Sequence, residues 1–436
     1  MNHARHKATI LWAFIILSIA LAFRVWVLMS TAGFDYTPSS DDALFDHIGQ
    51  TLASTGRYAL APESPPTAWL SPLLPSVLAA VYWLAGYKRA VAQSLLLLLS
   101  ALTAPATLLA GQEVADRRVG VLAGLLVALD PFAWIFAGLF YSEALFTFLT
   151  TLAVWMLLRA MRKPQPSRLI LLGLTLGLCA LARPNGLVVA MGCIVILPLV
   201  SDGRAAQRIR QATCVLAVTV LVMAPWIVRN SVVFARFIPT STDTGQVLLG
   251  IYNETCLEYR CLEWILPRVL PEVTEYQLAA LDELERNALQ TELALAFLRA
   301  HPVEFLGLTP GKLGHFWAQD TYIPNTTYRV SPAQVLADFQ RAYYRFLLPV
   351  GIVGLLLLYL TGRRQEFIIL TSVVAIFSMT TLVLWGNARL RLPLHPLLAI
   401  AAAFALTIAY DRTKAWARRT PRSQEEEATP ETEARP

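Results

Sequence analysis

The 436-residue chain is 56% hydrophobic and only 15% charged, and its mean hydropathy is +0.52. A soluble domain of this size does not need so much apolar content, so the composition predicts an integral membrane protein. The formal net charge of +6 would be compatible with nucleic-acid binding in a soluble protein. Here most Lys and Arg residues form short clusters between apolar segments, a pattern that orients membrane helices, so we expect no nucleic-acid partner.

Ten apolar segments are predicted to cross the bilayer as helices, since about 20 helical residues span its hydrocarbon core. The first is expected to stay as an uncleaved helix, because its apolar run is longer than that of a signal peptide. The predicted fold class is therefore all-α, a polytopic helical membrane protein. The segments lie near residues 10–29, 90–110, 119–139, 143–160, 168–182, 186–200, 212–229, 346–361, 366–385 and 392–410.

A further apolar segment, residues 69–87, contains Pro72 and Pro75 and is followed by Lys88 and Arg89. The basic clusters of the chain share one side of the membrane, the cytoplasmic side, only if this segment does not cross. We therefore expect a juxtamembrane or re-entrant helix on the outer face. The clusters are Arg5/His6/Lys7, Arg117/Arg118, Arg159/Arg162/Lys163, Arg204/Arg208/Arg210, Arg363/Arg364 and Arg412/Lys414/Arg418/Arg419.

The chain divides into four predicted regions. Residues 1–229 form an N-terminal membrane module, and residues 230–345 form an outer loop long enough to be a small domain. The centre of that loop has apolar residues at helical spacing and Pro302 at the start of a second helix, which predicts a helical hairpin over the membrane. Residues 346–411 hold the last membrane helices, and the charged tail 412–436 is expected to be disordered in the cytoplasm.

Acidic residues gather at the outer ends of the predicted spans. Asp41, Asp42 and Asp46 lie in the first loop, and Glu143 begins a helix at the same face. Acids at the mouth of a membrane protein are functional candidates, because a charge near lipid is costly unless it faces water or a partner. The alternative for the first loop is helix capping, and for Glu143 it is a favourable helix dipole.

Basic residues are expected at the same outer end. Arg389 and Arg391 precede Pro393, where a helix starts, and an arginine pair beside a helix N-terminus is suited to hold a phosphate. Contact with lipid headgroups is the alternative for this pair. Together these groups favour a reaction in which a carboxylate deprotonates an acceptor hydroxyl and cations stabilise a departing phosphate.

Two weaker signals remain open. Cys256 and Cys261 lie in the outer loop and could pair in an oxidising compartment. The histidines have no spacing typical of a zinc site.

At this point the chain resembles the GT-C glycosyltransferases, in particular the bacterial protein-mannosyltransferase-like (family 39) and aminoarabinose-transferase-like enzymes. The resemblance covers about residues 8–410 and depends on the order and spacing of several motifs. They are "SDDALFDHIGQTLASTGRY", "PPTAWLSPLLPSVLAAVYWLAG", "YSEALFTFLTTLAVWMLLRA", "GLTLGLCALARPNGLVVA", "APWIVRNSVVFARFIPTSTDTG" and "NARLRLPLHPLLAIAAAFAL".

The resemblance implies an inverting transferase that uses a polyprenyl-phosphate-linked sugar on the extracytoplasmic face of a bacterial inner membrane. It implies that Asp41 is the base, that Asp42 and Glu143 orient the acceptor or a divalent cation, and that Arg389 and Arg391 bind the donor phosphate. Such a cation would be held by Asp41 and Glu143. The implied acceptor is a glycan, a lipid or a protein hydroxyl. Arg183, which matches an "RP" motif, is a third candidate for binding the donor phosphate or is structural, and the further candidates are Asp46, Tyr58 and Tyr141.

Two other functions stay open on the sequence. A transporter or flippase of a lipid-linked sugar would use the same arginines without cleaving a bond. A purely structural subunit would leave the convergence of acids and bases without a purpose.

Overall fold

The computed structural model describes residues 2–34, 36–265, 278, 280–318, 321 and 333–419. These residues are predominantly helical, and no strand occurs among them. Seven helical stretches of this part of the chain are long and apolar enough to cross a membrane. The predicted class, an all-α polytopic membrane protein, is confirmed. The seven stretches are His6–Ser30, Arg89–Val114, Ser142–Arg162, Ala205–Phe234, Gln334–Leu360, Arg364–Val383 and Ala388–Arg418.

The α-helices are numbered in chain order, and one turn of 3-10 helix, Leu392–Leu394, joins the last two. They are α1 Asn2–Ser30, α2 Asp41–Thr55, α3 Leu73–Ala85, α4 Arg89–Val114, α5 Arg117–Ala128, α6 Pro131–Ile135, α7 Ser142–Arg162, α8 Pro166–Ala182, α9 Pro184–Val200, α10 Ala205–Phe234, α11 Thr244–Leu249, α12 Glu254–Glu258, α13 Glu283–Ala300, α14 Pro302–Ala318, α15 Ala333–Leu360, α16 Arg364–Val383, α17 Ala388–Arg391 and α18 His395–Arg419.

The segment predicted as one span over residues 119–139 is broken, so the expectation of a continuous helix there was wrong. Helix α5 ends at Ala128, and Asp130 then caps the short α6 by accepting the backbone N–H of Phe132 at 3.0 Å. Pro131 has no N–H to continue the preceding helix, and a capping carboxylate favours a new start. Every residue from Pro131 to Tyr141 is buried, so protein covers this irregular backbone.

Arginines from three of the basic clusters lie at one end of the helix bundle. Arg118 of α5 pairs with Asp411 of α18 at 2.8 Å, and Arg162 of α7 pairs with Glu366 of α16 at 2.9 Å. Arg363 donates to the last carbonyl of α4 at 2.7 Å. The ends of six helices therefore lie together here, and the N-termini of α2 and α7 lie at the opposite end.

The further apolar segment, residues 69–87, contains α3, which has 13 residues and is not among the seven long apolar stretches. It packs closely on α2, since a Cβ on Gly49 would lie 2.8 Å from the Cβ of Leu78. At its far end the buried Asp46 carboxylate accepts the hydroxyl of Tyr87 at 2.9 Å and pairs with Arg89 at 2.9 Å. These contacts hold α2, α3 and the start of α4 as one unit.

Helices α11 to α14, which we call the roof, lie over one end of the bundle. The predicted hairpin is present: α13 begins with a capping box of Asp282 and Glu285, and α14 begins at Pro302. Cys256 and Cys261 are both buried in the roof and are free thiols. The predicted boundaries at residues 230 and 345 fall inside α10 and α15, because both membrane helices continue toward the roof.

A glycine is required where α15 crosses α18. A Cβ on Gly354 would lie 1.8 Å from the carbonyl oxygen of Ala401, so the two helices would have to separate. We expect Gly354→Ala to lower the free energy of unfolding by about 1–3 kcal/mol, the usual cost of overpacking. Thermal unfolding in detergent measures it. Gly314→Ala in α14 is the matched control, since no atom lies within 4 Å of its added Cβ. Equal free energies of unfolding for the two variants would contradict the close contact between α15 and α18.

Candidate active site

A cavity of about 360 Å³ lies between the bundle and the roof. Its walls come from the N-terminus of α2, the junction of α8 and α9, the segment between α16 and α17, and the roof. Its size is within the range of small-molecule sites. The lining residues include Asp41, Trp69, Ser71, Ser142, Arg183, Asp243, Gln246, Glu263, Trp264, Trp385, Asn387 and Arg389.

The two neighbouring acids of the first loop have different environments. Asp42 is buried, and its Oδ1 accepts the backbone N–H groups of Ser39, Ser40 and Ala43 at 3.3, 2.9 and 3.1 Å. The N-cap residue Ser40 makes no capping bond with its side chain. Asp42 therefore accepts backbone N–H groups where the chain enters α2, whereas the Asp41 side chain is 59% exposed and faces the cavity.

Glu143 is the centre of an ion-pair chain at the cavity wall. Its side chain is 1% exposed, and its Oε1 accepts Arg183 Nη1 at 2.6 Å and the Nε of Arg389. Arg389 also places Nη1 at 3.3 Å from Asp41 Oδ2. The order is Arg183, Glu143, Arg389, Asp41, so charges of opposite sign alternate. The structure thus brings together four charged residues that are far apart in the sequence.

Local structure fixes the two arginines. Arg183 lies in the short connection between α8 and α9, which approach so closely that a Cβ on Gly186 would lie 1.9 Å from the carbonyl oxygen of Cys179. Asn387 caps α17 by accepting the N–H of Arg389 at 2.8 Å. The Arg389 guanidinium lies 4.7 Å from the ring centroid of Tyr141. Both cations are therefore oriented before any ligand binds, which favours recognition of an anion.

Arg391 has a different position from the one that the sequence analysis expected. It is fully buried, its guanidinium carbon lies 3.8 Å from the ring centroid of Tyr344, and it donates to the carbonyl of Phe316. It does not line the cavity. Residues two apart on a helix do not face the same side, so Arg389 and Arg391 diverge. Arg391 anchors α17 to the protein interior.

Three further candidates surround the cavity without lining it. Asp46 joins α2 to α4, as described above. The Tyr58 hydroxyl donates to the carbonyl of Leu70 at 3.0 Å and stabilises the loop after α2. Tyr141 lies beneath Arg389, and burial raises the pKa of its phenol, so it stays neutral at physiological pH. These side chains position the site, and none of them points to direct participation.

The sequence analysis missed the roof side of the cavity. Asp243, Gln246 and Glu263 line it. Oε1 of Glu263 accepts hydrogen bonds from His315 Nε2 at 2.8 Å and from Asn387 Nδ2 at 3.4 Å. The signal was weak, because a lone acid in a polar loop has no periodicity or spacing that marks it. Only the contact between roof and bundle reveals these residues.

A divalent cation held by Asp41 and Glu143 does not fit this arrangement. The Arg389 guanidinium lies between the two carboxylates and occupies the position of positive charge. In the part of the chain that the structure describes, no group of three His, Cys, Asp or Glu residues is placed to hold a metal ion. Arg389 supplies the countercharge at this site.

Comparisons with known proteins agree with this architecture. The family model described as dolichyl-phosphate-mannose-protein mannosyltransferase matches residues 66–228. A comparison with curated protein sequences finds no match. Among solved structures, the chain is similar to the oligosaccharyltransferase AglB from Archaeoglobus fulgidus, with a TM-score of 0.56 and 15% identity over 95% of this chain and 52% of AglB.

The chain thus spans about half the length of that archaeal enzyme. A lower similarity, with a TM-score of 0.43 and 14% identity, relates 95% of the chain to 82% of ArnT from Cupriavidus metallidurans in the apo state. The helical bundle, the matched family segment and the likeness to AglB agree on one architecture. Residues 66–228 match that family model, and the fold of the chain is similar to that of the membrane part of AglB.

Proposed function

We propose that this protein is a glycosyltransferase that moves a sugar from a polyprenyl-phosphate donor to an acceptor hydroxyl. One observation carries the proposal. An exposed carboxylate, Asp41, lies in a cavity beside two arginines that the buried Glu143 holds in place. A base next to a phosphate-binding pair is what an inverting transfer to a hydroxyl requires.

The reaction has one bond made and one broken at the anomeric carbon. The Asp41 carboxylate takes the proton of the acceptor hydroxyl, and the acceptor oxygen attacks C1 of the sugar. The bond between C1 and the phosphate oxygen breaks on the opposite face, and the electron pair leaves with the polyprenyl phosphate. The products are an inverted glycoside, polyprenyl phosphate and a protonated Asp41.

The arginines supply the electrostatic part of the mechanism. Negative charge grows on the phosphate as the bond breaks. Cations that are already oriented therefore stabilise the transition state more than they stabilise the ground state. Arg183 and Arg389 both line the cavity and are held by one oxygen of Glu143. Glu143 therefore acts as a positioning residue, because it fixes where the two guanidinium groups point.

We place the cavity on the extracytoplasmic face. Arginines from three of the basic clusters lie at the other end of the bundle, and Lys and Arg are in excess on the cytoplasmic side of membrane proteins. The enzyme would then take a lipid carrier from the outer leaflet of a bacterial inner membrane. Acceptors at that face are glycans, lipids and protein hydroxyls.

The comparisons support a lipid-linked donor. The AglB structure was determined in complex with an inhibitory peptide and a dolichol-phosphate, and the matched family model is described by a dolichyl-phosphate-mannose donor. Both descriptions concern relatives of low identity or partial coverage. For this chain they favour a polyprenyl phosphate carrier as the first donor class to test.

The test uses the purified full chain in nanodiscs with radiolabelled polyprenyl-phosphate sugars and a cell-envelope extract. We expect label on an acceptor and free polyprenyl phosphate in equal amounts, both separated by chromatography. Recovery of the intact lipid-linked sugar in every case, with label moved across the membrane of sealed vesicles, would instead identify a flippase. Arg389→Gln tests the site, because this variant should no longer release polyprenyl phosphate but should still insert into the membrane.

A further inference from the structure

The cavity combines aromatic rings with hydrogen-bonding groups. Trp69, Trp264 and Trp385 all line it, together with Asp243 and Gln246. Flat aromatic rings cover the C–H faces of a sugar, and carboxylates and amides bind its hydroxyls. Pockets with mostly apolar walls and a few placed polar groups are typical of small-molecule sites.

Asp243 is at the position of a helix cap but does not serve as one. It precedes α11, and its side chain makes no capping bond. The N–H of Gly245, which a cap would satisfy, donates to Oδ1 of Asn287 at 2.7 Å instead. Gly245 is required for this approach, because a Cβ there would lie 2.2 Å from the backbone oxygen of Asn287. Asn287 of the roof thus caps this N–H group in place of Asp243, and the Asp243 side chain lines the cavity.

Two features describe the surroundings of this half-buried carboxyl. Ser241 Oγ donates to its Oδ1 at 2.7 Å, which fixes the side chain. Burial raises its pKa above the usual value for an aspartate, and the hydrogen bond from Ser241 and the charge of Arg183 act in the opposite direction. A half-buried carboxyl with one oxygen held and a cavity beside it is well placed to bind a ligand group.

Trp264 is fixed in the same wall. Its indole Nε1 donates to the carbonyl of Gln246 at 3.2 Å. It packs against Gly250 so closely that a Cβ there would lie 1.9 Å from Nε1. One edge of the indole is therefore bound to the α11 segment that carries Asp243, and the ring keeps a surface on the cavity. The carboxyl and the ring form one rigid wall.

We propose that this wall is the subsite for the transferred sugar ring, with Trp264 covering a ring face and Asp243 selecting a sugar that carries no negative charge. The inference rests on the proposed function, since it assigns the sugar end of the same cavity. The two arginines are held by Glu143 and serve the phosphate, although the charge of Arg183 also reaches Asp243. Asp243 and Glu263 add two carboxyl groups to the cavity, and a carboxylated sugar bound against Trp264 would lie beside them.

The physical reason is the cost of like charges in one enclosed space. Two carboxylates that share a site cannot both ionise without a large free-energy penalty. A hexuronate bound beside Asp243 would have to take up a proton or force one onto Asp243. An uncharged hexose meets no such penalty, and its hydroxyls can donate to the carboxylate in charge-assisted hydrogen bonds.

The experiment compares two donors on the same lipid, polyprenyl phosphate carrying a hexose and polyprenyl phosphate carrying the corresponding hexuronate. The wild type should prefer the hexose in kcat/KM. Asp243→Asn should lower transfer of the hexose about tenfold and reduce the preference about tenfold or more, since a hydrogen bond to a charged group is lost. Asp243→Glu should keep the preference, because it keeps the charge.

Two controls separate the outcomes. Trp264→Phe should retain most activity, whereas Trp264→Ala should raise KM for the hexose donor. Asp202→Asn, the same change on an exposed residue, should alter neither rate. Equal use of both donors by the wild type, or an unchanged preference in Asp243→Asn, would overturn the subsite while leaving the transferase intact.

The subsite can also be tested without turnover. If neither donor reacts, the proposed function fails, and donor binding read by tryptophan fluorescence still decides the subsite. Binding of the hexose donor that weakens in Asp243→Asn and Trp264→Ala supports it. Binding that none of these changes affects contradicts it.

Discussion

Replacement of Asp41 with Asn is expected to lower the rate of sugar transfer by about 10²–10⁴-fold, the usual contribution of a general base. The amide has nearly the same shape as the carboxylate but cannot take the proton of the acceptor. The Asp41 side chain is 59% exposed, and its contact with Arg389 is at 3.3 Å, so the fold should not depend on its charge. Initial rates and thermal unfolding in detergent, measured on one preparation, test both statements.

The neighbouring acid supplies the contrast. Asp42→Ala should destabilise the protein, because it leaves the N–H groups of Ser39, Ser40 and Ala43 without the acceptor that the carboxylate provides. Asp202→Asn serves as the matched control for Asp41→Asn at the far end of the bundle. If Asp41→Asn transferred sugar within about twofold of the wild-type rate, Asp41 would not be the base.

The difference between Asp41 and Asp42 shows how far the sequence could lead. Adjacent acids at a membrane mouth predict a functional position, and that position is at the cavity. Which of the two faces the cavity depends on the direction of the first turn of α2, and residue types alone do not determine it. The same limit applies to Arg389 and Arg391, because their divergence follows from a helix of only four residues.

The long spans were predictable for a simpler reason. Apolar runs of about 20 residues have few other stable environments, so hydropathy alone identifies them. The broken helix at Asp130 was harder, because its irregular backbone is stable only where the surrounding protein covers it. The roof was harder still. Glu283 of α13 accepts the backbone N–H of Ala68 at 2.8 Å across more than 200 residues of sequence, and no local pattern encodes such a contact.

Glu143→Gln is expected to lower both stability and catalysis. The change keeps the size of the side chain but removes the charge that Arg183 and Arg389 share. Loss of one partner from a buried ion pair costs about 3–5 kcal/mol, and we expect the lower part of this range because both arginine side chains keep 19% exposure. The Glu143 side chain is 1% exposed, so solvent does not reach the contact between its carboxylate and the two arginines.

The catalytic loss should exceed what the loss of stability explains. Without the Glu143 charge, we expect Arg389 to shift toward Asp41, which would both neutralise the base and move the phosphate-binding group. A displacement of about 1 Å in a catalytic group can lower kcat by about 10²-fold. Glu366→Gln is the control, since Glu366 forms a half-buried ion pair with Arg162 at the other end of the bundle. That variant should lose stability and keep kcat. If both variants lost kcat in proportion to their stability, the ion-pair chain would be structural, and the orientation of the arginines would need another cause.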